Sequence, residues 1–291
     1  MGIFSYGQPF NPKCRYNAIT ASVKGSYSYA DIDGHIRTVR PGFSLGYSTR
    51  INPRLSFGID LMWVRLLGDD HISSDMRREV NTYLRNLHYR NDIKELSVFF
   101  QYDLFPSNDH YRKRPIYNFF GYLGVGVFHH NPRAKNHEGK WVDLRPLKTE
   151  NKNYSPIQIS VPLGFGIRYK LTLNMDLELD ISYRITSTDY LDDVSGKYVH
   201  PDDLPSEESE IMSNRSASLT SSYQGEDRDY EYITYFLGQK VTTDGSYSYV
   251  ESHAPGTRRG TRQGPDSYIL LSFKVCYILP SDKVYCPKFR D

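Results

Sequence analysis

Apolar and polar residues alternate along the clearest stretch of the chain, residues 157–171. Its odd-numbered positions, from Ile157 to Leu171, are all aliphatic or aromatic, whereas its even-numbered positions are polar, Pro or Gly. A period of two is typical of a β-strand with one apolar face. After a short link at residues 172–174 the pattern returns in residues 177–185, so the two segments predict an antiparallel hairpin.

Six further segments alternate in the same way, which brings the expected number of strands to eight. Their apolar positions are Ile19, Ala21, Val23, Tyr27 and Tyr29; Phe43, Leu45 and Tyr47; Leu55, Phe57, Ile59, Leu61 and Trp63; Leu96, Val98, Phe100, Tyr102 and Leu104; Phe119, Leu123, Val125 and Val127; and Ile269, Leu271, Phe273, Val275 and Tyr277. This series predicts an all-β fold, an eight-stranded antiparallel up-and-down transmembrane β-barrel of the outer-membrane type with long external loops.

The lengths of the connections agree with such a barrel. The links after strands two, four and six are short or moderate and comprise residues 52–54, 106–115 and 172–174. The links after strands one, three, five and seven comprise residues 31–38, 68–91, 130–156 and 187–265, and the last three of these are long. Outer-membrane barrels alternate short periplasmic turns with longer external loops. An even strand number places both termini in the periplasm, with residues 1–15 as an N-terminal segment, residues 16–279 as the barrel and residues 280–291 as a periplasmic tail.

A soluble sandwich or a lipocalin-like barrel would alternate in the same way, with its apolar faces turned inward. Strands of ten or more residues, the asymmetry of the loops and aromatic residues near strand ends favour the membrane barrel. These aromatic residues are Tyr47, Trp63, Tyr102, Tyr169 and Tyr277. Spanning helices are not expected, because the longest uncharged run, residues 115–132, is broken by Gly and His and has too few apolar residues for the ~20 that a span requires.

If the apolar faces meet lipid, the opposite faces line the lumen and bring charged residues into it. Five acids and five bases are expected there: Lys24, Asp60, Glu95, Asp103, Arg168, Lys170, Glu178, Asp180, Arg184 and Lys274. The interior of an eight-stranded barrel is just wide enough to be filled by side chains. Because unpaired buried charge is costly, these residues predict a structural plug of ion pairs, with a pore or an active site as the alternatives.

Signs of catalysis or of ligand binding are sparse. A net charge of +2 shows no nucleic-acid footprint, and there is no nucleophile elbow or phosphate-binding loop. We therefore expect no enzyme activity, no cofactor, no metal, no nucleic-acid partner and no small-molecule substrate. His129, His130 and His137 lack the spacing of a zinc site and are interpreted as loop residues.

Glycines and paired acids also have plain interpretations. Gly121, Gly124 and Gly126 lie within a predicted strand, where they indicate close backbone approach or tight packing rather than a nucleotide loop. The acidic pairs 69–70, 192–193 and 202–203 lack the spacing of a calcium-binding loop, so solvated loop charge is favoured over calcium ligation.

The last long connection is the most unusual part of the chain. Its centre, residues 205–229, is rich in Ser and Glu and is expected to be flexible. Residues 241–250 are less polar and can extend the strands above the membrane. Since long loops without a function are uncommon, we expect a protein contact in this region.

Two of the three cysteines lie beside the predicted ends of the barrel. The first and last strands of a closed barrel are neighbours, so Cys14 and Cys286 are expected at the same rim, either bridged or as two free thiols. Residues 1–8 lack the basic and apolar parts of a complete signal peptide and fit the remnant of one.

Several stretches together carry a family resemblance. They are residues 85–93 (RNLHYRNDI), 141–150 (WVDLRPLKTE), 189–195 (DYLDDVS), 258–260 (RRG) and 286–289 (CPKF). In their order and spacing they resemble the PorG-type outer-membrane barrels of the type IX secretion system of Bacteroidota, over almost the whole chain from residue 16 to residue 289. The acidic, serine-rich centre of the last loop departs from that pattern.

The resemblance implies an outer-membrane protein that contacts the periplasmic ring of the lipoprotein PorK and its partner PorN. Such a protein would support export of cargo with C-terminal sorting domains and, in some species, gliding motility. The family offers no catalytic residues to transfer. The candidate ring contacts, chosen from the predicted periplasmic turns and with ordinary solvated turns as the alternative, are Asn52, Pro53, Arg54, Arg112, Lys113 and Arg114.

Two other classes remain open at this point. A lipid-modifying enzyme or protease of the outer membrane would need a nucleophile or an acid and a base converging at the outer rim, and no such set is visible. A small structural or adhesion barrel would need only its external loops, in addition to outer-membrane lipid around it. The fold alone does not choose between them.

Overall fold

The computed structural model describes residues 15–32, 34–73, 80–107, 111–228, 234, 240–244, 247–260 and 264–280. These residues hold twelve strands: β1 (Asn17–Tyr29), β2 (Arg40–Arg50), β3 (Leu55–Asp69), β4 (His88–Asp103), β5 (Tyr117–His129), β6 (Pro132–Lys135), β7 (Trp141–Asp143), β8 (Ile157–Lys170), β9 (Met175–Thr186), β10 (Val241–Asp244), β11 (Tyr247–Val250) and β12 (Ser267–Leu279). Four short α-helices accompany them: α1 (Asp70–Ser73), α2 (Val80–Arg85), α3 (Leu144–Leu147) and α4 (Glu207–Ser213). No helix in these ranges is long and apolar enough to cross a membrane.

Eight of the strands form a closed antiparallel cylinder in the order β1-β2-β3-β4-β5-β8-β9-β12. The cylinder closes between β1 and β12, from Asn17 opposite Leu279 to Tyr29 opposite Ser267. Each strand therefore has two hydrogen-bonded neighbours, and the barrel has no open edge. The predicted all-β, eight-stranded antiparallel barrel is confirmed, and all eight predicted segments correspond to observed strands.

The wall of the barrel is apolar outside and polar inside. On β8, the outward residues Leu163 and Phe165 are 50% and 68% exposed, and outward residues of other strands, such as Val23 and Leu61, are exposed to a similar degree. The inward residues Ser22, Lys24, Glu95 and Asp180 are buried. A soluble barrel has the opposite arrangement, so this is a barrel of the outer-membrane type, whose apolar belt faces lipid.

Strands β3 and β4 continue beyond this belt. Residues 68–91 were expected to be a loop, but β3 runs to Asp69 and β4 begins at His88, so the two strands pair over their whole length. Their inward side chains change character along the way, from Ser56 and Asp60 to Val64 and Leu66 on β3. The upper ends of the two strands therefore contribute to an apolar core.

The long connections fold into a cap on this end of the barrel. We define the cap as the described residues among 30–39, 70–87, 130–156 and 187–266. Its core joins barrel strands to the connections and consists of Ile32, Met62, Val64, Leu66, Leu87, Tyr89, Ile93, Phe128, Leu191, Val194, Tyr268 and Leu270. Because this cluster includes inward residues of β3, β4, β5 and β12, it fills the end of the lumen beneath the cap.

Two expectations about the last connection were wrong. Residues 205–229 were expected to be flexible, but they hold α4, and Met212, Ser213 and Ser216 are buried. The described residues among 241–250 do not extend the barrel strands, because in the described structure β10 and β11 pair with each other and not with the barrel. The order of this region comes from polar contacts that a hydrophobicity pattern does not record: Ser213 Oγ donates to the Thr149 carbonyl at 2.7 Å, for example.

Candidate functional site in the lumen and the cap

Nine of the ten charged residues predicted for the lumen form ion pairs inside it. The pairs are Lys24–Asp60 at 3.9 Å, Arg184–Glu95 at 3.5 Å, Arg168–Asp103 at 2.7 Å, Arg168–Glu178 at 2.6 Å and Lys274–Asp180 at 2.9 Å. The tenth residue, Lys170, lies at the rim, where its ammonium group donates to the Arg112 carbonyl. Three of these ion pairs, Lys24–Asp60, Arg184–Glu95 and Arg168–Asp103, join strands that are not neighbours and so tie the wall together across the lumen, whereas the other two join neighbouring strands.

Further polar residues belong to the same network. Arg50 pairs with Asp103, the Tyr122 hydroxyl donates to Asp180 at 2.8 Å, and the Tyr268 hydroxyl donates to Glu95 at 3.0 Å. The sequence contained a signal for Arg50, which lies on the polar side of the alternation in β2 and before the link at residues 52–54, but Arg50 was not included among the expected lumen charges. In its lower part the lumen therefore holds paired charge around a cavity of about 50 Å³, and beneath the cap it holds apolar side chains.

At the end of the barrel opposite the cap, the candidate contact residues divide into two groups. Arg114 is buried: its Nε donates to Asp176 at 2.9 Å and its Nη1 donates to the Leu173 carbonyl at 2.7 Å, which fastens the 111–116 turn to the 171–174 turn. Arg112 and Lys113 are exposed. The remaining surface for a partner in this turn is therefore made by Arg112 and Lys113 rather than by all three cations.

The other turn at this end is shaped by its own side chains. Asn52 Oδ1 accepts hydrogen bonds from the backbone N–H groups of Arg54 at 2.9 Å and of Leu55 at 2.8 Å. The Pro53 carbonyl accepts from the backbone N–H of Ser107 at 2.8 Å, and Arg54 donates to the Tyr102 hydroxyl at 2.9 Å. Asn52 and Arg54 are exposed in a turn of fixed shape. Cys14 and Cys286 lie outside the described residues.

Two buried arginines organise the cap. Arg85, at the end of α2, donates to Asp70 at 2.7 and 2.8 Å and to the carbonyl oxygens of Asp31 and Arg259 at 2.6 and 3.0 Å. The Arg259 guanidinium donates in turn to other connections of the cap. Its acceptors are Glu150 at 3.2 Å, Thr149 Oγ1 at 3.1 Å, the Asp193 carbonyl at 2.7 Å and the Ser213 carbonyl at 3.0 Å. Burial alone would lower the pKa of Arg259, but Glu150 and Asp193 outweigh it and hold that pKa above its ordinary value.

The acidic pairs in two of the connections are structural. Asp69, Asp70, Asp192 and Asp193 are buried, so the expected solvated loop charge was wrong for these four residues. Asp193 accepts hydrogen bonds from the hydroxyl groups of Thr149 and Tyr154, and burial raises its pKa to about 6. The third pair, at residues 202–203, is exposed as expected.

An acidic triad lies under the cap. One carboxylate oxygen from each of Asp31, Asp192 and Asp266 lies within 4.8 Å of the other two. Among the described residues, this is the group of acidic side chains whose spacing would suit a metal ion. Burial and the neighbouring carboxylates hold the pKa of Asp192 and of Asp266 well above the ordinary range. Two of these carboxylates also accept hydrogen bonds from the backbone: the Ile32 N–H donates to Asp192 at 2.6 Å, and the Leu191 N–H donates to Asp266 at 2.8 Å. The observed contacts of this triad join the connections to one another.

The histidines and glycines named from the sequence have separate roles. His130 is buried and close to the Ser155 carbonyl at 3.1 Å, and burial lowers its pKa to about 4, whereas His129 is exposed at the end of β5. Gly124 and Gly126 sit where a Cβ would collide with Val98 and Ser160, as their interpretation requires, whereas Gly121 has room for one. These residues therefore shape the wall and the cap.

Residues from four of the five stretches that carry the family resemblance meet in the cap. Arg85 donates to the Arg259 carbonyl, Arg259 donates to Glu150, and Asn91 donates to the Leu191 carbonyl at 2.7 Å. The fifth stretch, at residues 286–289, lies outside the described residues. Stretches that are far apart in the chain therefore belong to one hydrogen-bonded structure.

Comparisons with known proteins give the following likenesses. No curated protein matches this sequence. Among solved structures, the chain is similar to Neisserial surface protein A (11% identity, 90% of this chain and 96% of that one, TM-score 0.40). It is also similar to the attachment invasion locus protein Ail of Yersinia pestis (10% identity, 91% of this chain and 99% of that one, TM-score 0.39). A third similar structure is the outer-membrane protein OprG of Pseudomonas aeruginosa (7% identity, 92% of this chain and 97% of that one, TM-score 0.41).

The family to which this sequence belongs is shown by a family profile. It matches residues 14–206, which include all barrel strands but β12 and three of the four connections of the cap. With two thirds of its length matched, the chain belongs to the DUF6089 family, described as a domain of unknown function.

Proposed function

We propose that this protein is a non-enzymatic outer-membrane protein that acts through contacts at its two ends rather than by passage through its lumen. The observation that carries the proposal is the obstructed lumen: ion pairs cross its lower part and leave a cavity of only about 50 Å³, and the apolar cluster of the cap closes the other end. A side-chain plug of this kind fits an eight-stranded barrel. Its available surfaces are then the turns, the outer wall and the cap.

More specifically, we propose a role in the type IX secretion machinery, with contact to the ring of PorK and PorN. The support is the sequence resemblance, together with the fact that its scattered stretches form one connected network in the cap. The described ends of the chain, at Arg15 and Pro280, lie at the end of the barrel with the short turns. In this proposal that end faces the periplasm and presents Asn52, Arg54, Arg112 and Lys113 to the ring.

Affinity purification of the tagged protein from outer membranes in mild detergent tests this role. We expect recovery of PorK and PorN with the wild-type protein, and a loss of at least about half of both with Arg112→Glu/Lys113→Glu, because these cations are exposed at the proposed contact. Lys140→Glu, an exposed change on the cap, is the matched control and should leave recovery unchanged.

The outcome that contradicts the role is recovery of the barrel alone from a preparation in which the ring is intact. Equal recovery with the wild-type and the doubly charge-reversed protein would instead remove only the 112–113 turn from the contact.

A second candidate is a surface protein that adheres through its cap, and the ordered cap favours it because a preformed surface loses little entropy on binding. Deletion of the gene separates the two. Loss of cargo secretion supports the secretion role, whereas normal secretion with loss of adhesion of cells to host or biofilm surfaces supports the second candidate.

A further inference from the structure

One side of the barrel carries a group of cations directly above the apolar belt. They lie on the outward faces of β3, β4 and β6, and we name them the basic strip: Arg65, Arg90, Lys94, Arg133 and Lys135. The pairing of the strands sets their positions, with Trp63 opposite Lys94, Arg65 opposite Asp92 and Arg90 opposite Arg133. The outward residue just below Lys94 on β4 is Leu96, which belongs to the lipid-facing belt and is 54% exposed.

The strip is not part of a uniform girdle. At the same end of β8, β9 and β12, the outward positions are occupied by Ile157, Ile185 and Ile269. The cations are therefore gathered on the β3–β4–β6 side of the barrel. A one-sided arrangement indicates recognition of a particular neighbour rather than general contact with water.

The positive charge of the strip exceeds the acid beside it. Two of its cations have acidic partners, since Arg65 pairs with Asp92 at 2.6 Å and Arg133 pairs with Asp143, and Lys135 donates to the Tyr223 carbonyl at 3.0 Å. Arg90 lies directly opposite Arg133, and like charges at such positions destabilise an antiparallel pair. An anion bound between them would remove this repulsion.

The guanidinium of Arg90 is the least satisfied group of the strip. It lies 4.1 Å from the centre of the Trp141 ring, and within the described residues it makes neither an ion pair nor a hydrogen bond. Lys94 is exposed and likewise has no ion pair in the described structure. Lys94 lies four residues away on the same face of β4, with Asp92 between them, so the guanidinium and the ammonium each offer a separate contact for a phosphate group.

Aromatic residues place this strip at the level of lipid head groups. The chain has two tryptophans, and both adjoin the strip: Arg65 lies 5.3 Å from the Trp63 ring, and Arg90 lies over Trp141. Phe43 stacks on Trp63 at the edge of the belt. Tryptophan is enriched at the membrane–water interface, and the four residues from Lys94 to Arg90 span roughly 14 Å at ~3.4 Å per residue along the strand. The cations thus begin at the edge of the hydrocarbon layer and extend outward through the polar layer.

We propose that the basic strip binds the phosphate groups of anionic lipids in the leaflet on the cap side of the membrane. In this arrangement Arg90 and Lys94 each contact a phosphate group, Trp63 anchors the strand at the interface, and the acyl chains lie along the belt at Leu61 and Leu96. The site rests on the proposed membrane location but not on the secretion role.

Native mass spectrometry of the full-length protein in detergent tests the site, by titration with lipid A, phosphatidylglycerol or phosphatidylcholine. We expect the wild-type protein to bind the two anionic lipids at least about tenfold more tightly than phosphatidylcholine, because each cation near an anionic lipid surface contributes on the order of 1 kcal/mol. Arg90→Gln/Lys94→Gln should remove this preference. The control Lys140→Gln/Lys152→Gln removes two exposed cations of the cap and should keep it.

Two results would overturn the proposal: equal binding of anionic and neutral lipid by the wild-type protein, or an unchanged preference in the Arg90→Gln/Lys94→Gln variant. Displacement of lipid A by millimolar inorganic phosphate would also overturn it, in favour of a site for soluble anions. Lys94→Gln alone changes one exposed side chain and covers the case in which the double variant does not fold, with an expected loss of about fivefold. Since the titration uses the isolated barrel, its result is independent of whether the ring is recovered.

Discussion

Strands β3 and β4 cross two environments, and their lower and upper parts have opposite polarity. In the belt, Leu61 and Leu96 face outward, while Asp60 and Glu95 face the lumen. Above it, Val64, Leu66 and Ile93 face inward, and Arg65, Asp92 and Arg90 face outward. The backbone ladder is continuous through the change. The surroundings therefore dictate which face is apolar: lipid around the lower part and water around the upper part.

The two parts are also stabilised differently. The belt is closed by its ladder of backbone hydrogen bonds, and the charges in its lumen neutralise one another. The cap has little regular structure and depends on an apolar cluster together with arginines that donate to carbonyl oxygens of several connections. We therefore expect changes in the cap to be felt there first, while the belt remains folded.

The largest effect is expected at the centre of the cap. Arg85→Leu removes the guanidinium from Asp70 and from the carbonyl oxygens of Asp31 and Arg259, all in a buried setting. Breaking a buried ion pair costs about 3–5 kcal/mol. Hydrogen exchange followed by mass spectrometry should show faster exchange through residues 80–87 and 187–198, with the lower strands still protected.

Arg133→Leu is the control for this change, because its ion pair with Asp143 is about 42% exposed on the arginine side and should contribute less than about 1 kcal/mol. If Arg85→Leu speeds exchange equally in β8 and β9, then the cap and the belt unfold together and the distinction between them fails.

A smaller effect compares two leucines on the same strand. Leu66 is fully buried in the core beneath the cap, whereas Leu61 is 60% exposed toward lipid. Leu66→Ala should lower the free energy of unfolding by about 3 kcal/mol, since it leaves a cavity among packed side chains. Leu61→Ala should cost less than about 1 kcal/mol, because lipid fills the space. Urea unfolding in lipid vesicles measures both, and equal costs would show that the upper part is not packed like a water-soluble core.

The smallest effect concerns pH. His253 is buried in the cap near the Asn81 carbonyl, at 3.1 Å from its Nε2, and burial lowers its pKa to about 4. A histidine with a lowered pKa is protonated more readily in the unfolded cap. Its stabilising contribution is therefore present above pH ~6.5 and is lost as the pH falls toward 4, by about 2 kcal/mol.

The contribution of His253 to this pH dependence is isolated by comparing the wild-type protein with His253→Gln, because titration of the acidic residues of the cap changes the stability of both proteins equally. Hydrogen exchange of residues 80–87 at pH 7 and pH 4.5 should accelerate less in the variant. Identical pH dependence in the two proteins would show that His253 is not protonated when the cap opens.

Much of the barrel could be predicted from the sequence, because alternation along a strand is a local signal. Each outward residue meets lipid and each inward residue meets the lumen, so period two marked all eight strands. It also selected nine lumen charges that the structure brings into ion pairs. The ends of β3 and β4 were missed, since the pattern there inverts where lipid gives way to water and was interpreted as a loop.

What only the tertiary structure decided is the order of the cap and the partners of individual charges. Arg114 is close to Arg112 and Lys113 in sequence, yet it is buried because Asp176 and four backbone carbonyls from two turns converge on it. Ser213 and Arg259 show no periodicity, and their acceptors lie 64 and 46–110 residues away in the chain. A hydrophobicity pattern reports how one segment meets its solvent, whereas hydrogen bonds between distant polar groups depend on which segments the fold brings together.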